Sequence, residues 1–213
     1  MKLKKLVASF PVFALCVILS YSVLDVRTAL LVKKLWMSSE KLILFSIDIP
    51  DVLFLLVCLI TGAAWIGLFY LTRKGIHNTH TQFLQLIAIS VPLANIVKSL
   101  LKYAFGGIST RLWLLHPHAR EFHWFHGAGN YTGFPSGHMA VFTVLAAALW
   151  AYYPRHRTVY IAFSIALALA LILTNYHFIS DIIAGIYTGL FVHAATDYCL
   201  TYQRRSRDKN QPG

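Results

Sequence analysis

Charge is scarce in this chain. Only 13% of its 213 residues are charged, against about 25% in a typical soluble domain, while 57% are apolar and the mean hydropathy is +0.60. A water-soluble globule and a disordered chain are both excluded by that balance. Acids are scarcer still, with 8 Asp and Glu against 19 Lys and Arg. The three cysteines are an odd number, which excludes a fully paired disulfide scaffold, and Cys16, Cys58 and Cys199 all lie in apolar runs. No internal repeat and no low-complexity segment is present. What the chain does have is long apolar runs, the mark of a membrane protein.

A bilayer core about 30 Å thick needs roughly 20 apolar residues per helix. Six stretches qualify in whole or part: Leu6 to about Leu24, Val52 to Thr72, Gln82 to Leu101, Met139 to Tyr153, Val159 to Thr174 and Ile182 to Tyr198. The spacing predicts an all-α fold, a polytopic helical bundle with six transmembrane helices and its site at their extracytoplasmic ends. One membrane domain covers 1–202. The charged end, Gln203 to Gly213, reads as a disordered, basic cytoplasmic tail. The first stretch, with its basic start and the small-x-small triplet Ser20-Tyr21-Ser22, also fits a cleavable signal peptide.

Lys and Arg in short loops set orientation. With the N-terminus in the cytoplasm, eleven basic residues fall on that side in short segments and eight on the other, where loops are longer and acids such as Asp25, Glu40, Asp48, Asp51 and Glu121 dilute them. Both termini are therefore expected in the cytoplasm. Most of the +11 charge is an orientation signal, so nucleic acid is not an expected partner. The short loops and the absence of eukaryotic sorting signals point to a bacterial inner membrane.

The outer loop of about residues 102–138 is the longest polar stretch and is rich in glycine and histidine, and long loops are commonly functional. Three elements in or beside it carry chemistry. Pro135-Ser136-Gly137-His138 leads into the fourth span. Ser136 is a natural N-cap, Gly137 permits close approach to the backbone, and the first N–H groups of the helix would face an anion. The plain alternative is a serine cap with an interfacial histidine. His177 and Asp181, four apart at the start of the sixth span, share a helical face. A carboxylate on one imidazole nitrogen fixes the tautomer and leaves the other free as nucleophile or base; the plain alternative is an acid at a helix start. The third element is basic. Lys102 and Arg111 lie on the same face as the histidines, while Lys98, at a span end, is expected to snorkel to the interface.

An anion cradle, two cations, a carboxylate-oriented histidine and a second histidine for the proton compose a phosphoryl-transfer site. A histidine nucleophile would split hydrolysis into formation of a phospho-histidine and its attack by water. No metal or other cofactor is expected, because the histidines of 116–126 have no cysteine beside them and lack a regular His-x₃-His spacing.

In these motifs and their order the sequence resembles the type 2 phosphatidic acid phosphatase family, the membrane branch of the vanadium haloperoxidase superfamily. The resemblance covers about residues 50–200. It implies that His177 is the nucleophile, Asp181 its orienting partner and His138 the acid for the leaving oxygen, and that Lys102, Arg111, Ser136 and Gly137 hold the phosphate. Two departures stand out. The family usually places arginine seven residues after the lysine and follows it with proline, whereas Arg111 is nine residues on and precedes Leu112. The arginine usual six residues before the histidine is Leu171 here; Arg120, Lys98 and the loop histidines are candidates to replace it. The expected activity is hydrolysis of a membrane lipid phosphate, monoester or diphosphate, at the extracytoplasmic face. The rival readings are phosphotransfer from one lipid to another and a membrane binding protein whose site has decayed. Trp113, Phe122, Trp124, Phe125 and Tyr131 are expected at the interface, as an entry belt or as anchors.

Overall fold

The computed structural model describes residues 3–36, 40–117 and 121–209, with the side chains of 36, 40–51 and 207–209 left aside. Among the described residues every regular element is helical. The helices are α1 (Leu3–Ala8), α2 (Phe10–Leu19), α3 (Asp25–Trp36), α4 (Glu40–Arg73), α5 (Thr79–Phe105), α6 (Thr110–Leu115), α7 (Gly137–Tyr152), α8 (Arg157–Leu173) and α9 (Ile179–Lys209). A π-helical turn, Ser20–Leu24, joins α2 to α3, and a 3₁₀ turn, Pro154–His156, joins α7 to α8.

Five segments are long and apolar enough to cross a bilayer: Phe10–Leu35, Val52–Arg73, Thr79–Leu115, Pro154–Leu173 and Ile179–Ser206. The chain is an integral membrane protein by these runs. The expected fourth span, α7, has 16 residues and is the short one. Its neighbours explain why it can be short. Met139 to Leu145 and Ala148 are buried on every side of α7, as befits a helix wrapped by protein rather than by lipid. It packs against α5, α8 and α9, with α4 outside α5 and α2 lying on α9. On α4 the apolar side chains Leu55, Leu59, Ile66 and Phe69 are exposed, the surface that hydrocarbon would cover.

Three expectations change. The first apolar run does not end near Leu24, because helix resumes at once from Asp25 to Trp36. The outer loop expected up to Asp51 is largely helical, since α4 begins at Glu40. Residues 203–209 do not form a disordered tail but continue α9. Gln, Arg and Lys are good helix formers, and basic residues suit a helix C-terminus.

Both ends of α5 have a local cause. Asn78 caps α5 by accepting from the Thr81 N–H at 3.0 Å. Gly106, at φ 57°, takes the left-handed conformation that closes α5, its N–H reaching the Lys102 carbonyl at 2.9 Å. Beyond it the loop folds back, and the N–H groups of His123, Phe125 and Gly127 bond the carbonyls of Gly106, Ala104 and Tyr103. Helix-end carbonyls that would otherwise lack partners are thereby satisfied.

Helices α7 and α9 approach most closely where α9 carries Gly185 and Gly189. A methyl group on either would collide with backbone carbonyls of Ser136 and Ala140. Small residues four apart are a common way for membrane helices to bring their backbones together.

The start of α9 is also held from a distance. Asp25, 1% exposed, accepts the Ser180 N–H on Oδ1 at 3.0 Å and the Ser180 hydroxyl on Oδ2. A carboxylate from α3 thus caps the α9 N-terminus, where the helix dipole favours negative charge. Asp25→Ala leaves two buried donors without an acceptor, and such groups cost about 1–3 kcal/mol. Thermal unfolding in detergent is expected to show that loss, with Asp25→Asn, which keeps one acceptor, losing less. An unchanged midpoint in Asp25→Ala would contradict the role given to this contact.

Candidate functional site

The end of α5, the start of α7 and the start of α9 meet at one end of the bundle. Ser136 occupies the N-cap of α7, as its position in the sequence predicts, and its hydroxyl oxygen accepts the Met139 N–H at 3.4 Å. Its own N–H donates to the Asp181 carbonyl at 3.0 Å, so the two helix starts are tied backbone to backbone. Ser136 is fully buried, and Gly137 and His138 follow it on the first turn of α7.

His177 sits just before α9, 5% exposed. Its Nδ1 lies 3.3 Å from Asp181 Oδ2, and the same oxygen accepts the Phe178 N–H at 3.0 Å. The carboxylate therefore fixes both the imidazole and the first turn of the helix, and the Gly133 carbonyl is a further acceptor beside the ring. The His138 and His177 rings are 6.2 Å apart between centroids. Two imidazoles at that separation can both reach one tetrahedral anion.

The cations come from the opposite wall. Lys102 Nζ donates to the Thr132 carbonyl, which pins the long loop to α5 and sets the ammonium beside His177. Arg111 follows α5 on the short helix α6. Its guanidinium donates to the Thr174 carbonyl from Nε at 3.4 Å and from Nη2 at 3.3 Å, and it lies over the Tyr176 ring at 5.0 Å. The two extra residues between Lys102 and Arg111 thus do not remove the arginine from the site. The turn through Gly106 and α6 absorb them.

The seven residues singled out in the sequence, His177, His138, Asp181, Lys102, Arg111, Ser136 and Gly137, gather at the end of α5, on α6 and at the starts of α7 and α9, tied by the His138–His177, His177–Asp181 and Ser136–Asp181 contacts. Leu171 is 3% exposed and packed in the apolar core, so this position supplies nothing polar to the site. Of the candidates to replace the missing arginine, Arg120 lies outside the described residues, as does His118. The loop histidines stay apart: His126 Nδ1 bonds the Trp124 carbonyl at 2.8 Å, His123 packs on Tyr131, and His116 is exposed. Lys98, expected to snorkel to the interface, turns toward the start of α7. Its half-buried side chain lies across Gly137.

Two residues escaped the sequence reading. In the sequence Asp25 counts as a charge diluting the outer side, and the one mark of its role is an acid inside an otherwise apolar stretch. Tyr176 lies under the Arg111 guanidinium and edge-on to His138 at 5.5 Å and His177 at 5.1 Å, and nothing in its type or spacing marks it. The aromatic belt divides. Trp124 and Phe125 are exposed, but Trp113 is 4% exposed and packs edge-on against Phe178 at 5.7 Å, a core residue and not an anchor. Phe122 joins Phe105, Trp124 and Phe134 in a cluster that also takes Tyr21.

The structure is thus an all-helical membrane bundle with a buried carboxylate–histidine pair, a second histidine and two basic side chains near one end. A model of the PAP2 superfamily matches residues 83–205, and the chain belongs to that superfamily, the type 2 phosphatidic acid phosphatases. The family's activity is in general phosphoric ester hydrolysis. No curated protein and no solved structure matches the chain.

Burial above all, and then the Lys102 cation, push the His177 imidazole down to a pKa of about 3; a hydrogen bond to the Gly133 carbonyl opposes this, and Arg111 adds a smaller push. The folded protein thus keeps His177 neutral, while the unfolded chain protonates it near pH 6.5. Between those values the unfolded state binds more protons, so stability falls as pH drops from about 6.5 toward 3. In detergent the thermal midpoint is expected to fall between pH 7.5 and pH 5, and His177→Gln, which cannot titrate there, to fall less. Equal slopes in the two proteins would contradict a buried, neutral His177.

Proposed function

We propose that the protein is a metal-independent lipid phosphatase that hydrolyses a phosphomonoester or diphosphate of a membrane lipid at the extracytoplasmic face. The observation that carries this reading is the juxtaposition of the Asp181-bound His177 and the His138 ring, 6.2 Å apart, at the starts of two helices. Nε2 of the neutral His177 attacks phosphorus in line with the bond to the lipid oxygen. That bond breaks, His138 gives its proton to the leaving oxygen, and the phosphoryl group rests on His177. His138, now neutral, takes a proton from water as the water attacks phosphorus. The P–N bond breaks, releasing inorganic phosphate and restoring both histidines.

Lys102, Arg111 and the N–H groups opening α7 neutralise the equatorial oxygens, whose charge grows toward the transition state. Asp181 stabilises the imidazole in the tautomer that leaves Nε2 unprotonated. The site lies at helix ends beside exposed Trp124 and Phe125, which suits a substrate whose phosphate stands at headgroup depth while its chains stay in hydrocarbon. In this reading α7 is a sixth crossing, shortened by its protein surroundings, both termini are cytoplasmic, and the membrane is a bacterial inner membrane.

Purified protein is expected to release inorganic phosphate from a detergent-dispersed lipid phosphate in the presence of a chelator. His138→Ala should lower the rate by roughly 10²–10⁴-fold, the usual contribution of general acid–base catalysis. His177→Ala should abolish turnover. Undiminished release by His177→Ala removes the nucleophile assigned here, and vanadate binding without any turnover in the unaltered protein favours a decayed site.

A further inference from the structure

Lys98 stands one helical turn before Lys102, about 6 Å along α5 on the side away from the long loop. Its side chain is half-buried. Its stem runs across the first turn of α7, close enough that a Cβ on Gly137 would lie 2.9 Å from Lys98 Cδ and 3.2 Å from Nζ.

The other two cations of the site are anchored. Lys102 is bonded to the Thr132 carbonyl, and Arg111 to the Thr174 carbonyl. Lys98, among the described residues, makes no hydrogen bond and no ion pair. Asp181, the acid of the site, already binds His177 and the Phe178 N–H. A partly buried ammonium without a counter-charge is unfavourable. Here it also faces the positive end of the α7 dipole and shares a helix face with Lys102, both of which repel it. An anion held between them turns each repulsion into an attraction.

We propose that Lys98 is a third cation of this site, binding an oxygen of the substrate's phosphate from the membrane side of the α7 first turn. The inference rests on the phosphatase reading above. It also answers the burial of Leu171 in the core, because the positive charge absent there is delivered instead by α5.

The experiment measures orthovanadate affinity by titration calorimetry, and kcat and KM for phosphate release from one lipid monophosphate, in the unaltered protein, Lys98→Met and Lys98→Arg. Lys98→Met is expected to lose roughly ten- to a hundredfold in vanadate affinity and a similar factor in kcat/KM, the scale of one charged hydrogen bond. Lys98→Arg, which keeps the charge, is expected to recover most of both. Thermal unfolding of each variant identifies any that fail to fold, in which case Lys98→Gln replaces it. Vanadate affinity unchanged in folded Lys98→Met overturns the proposal while leaving the phosphatase reading intact. An unaltered protein that neither binds vanadate nor releases phosphate sinks that reading, and this inference with it.

Discussion

Where α9 passes α7 it carries Gly185 and Gly189, and at both positions a single methyl group would strike a carbonyl of the facing helix. In lipid there is little hydrophobic reward for bringing helices together, so close backbone packing and dispersion must hold the pair. The rest of the site depends on that contact. It sets the two helix starts level, allows the Ser136 N–H to bond the Asp181 carbonyl at 3.0 Å, and leaves the His138 and His177 rings 6.2 Å apart. Wider spacing between α7 and α9 would keep every residue of the site in the sequence and still separate the two histidines.

Electrostatics then gives the space its preference. Lys102 reaches it from α5 and Arg111 from α6, beside the start of α7. On the opposite side, two carboxylates hold the start of α9: Asp181 from within the helix and Asp25 from α3. The acids are spent on backbone N–H groups, a serine and an imidazole, so the field left facing the site is positive. His177 stays neutral there, because burial first and then its cationic neighbours oppose protonation.

Much of this was legible in the residues because it is local. The serine cap at 136 and the His177–Asp181 pairing depend on a few consecutive positions, and the helix period alone puts them where they are. The apolar runs likewise announce the membrane helices, although not their ends: helix persists from Asp25 to Trp36 and from Gln203 to Lys209, where charged residues read as loop and tail. What escaped is what depends on partners far along the chain. Asp25 meets Ser180 across 155 positions, and its role follows from the packing of the N-terminal helices on α9. Trp113 has the composition of an interfacial anchor, and only the position of Phe178 makes it core. The late arrival of Arg111 reads as a departure in spacing, yet the left-handed turn at Gly106 and the short helix α6 bring the guanidinium back to the Thr174 carbonyl.

The central claim is spatial: one anion is shared by the starts of α7 and α9 and the end of α5. An experimental structure of the protein with orthovanadate, a stand-in for the phosphoryl group in transfer, tests it most directly. The account predicts vanadium bonded to His177 Nε2, with His138 at the opposite apex and with Lys102, Arg111 and the Gly137 N–H on the remaining oxygens. Vanadate bound away from His177, or bound there with His138 turned toward another partner, would contradict it.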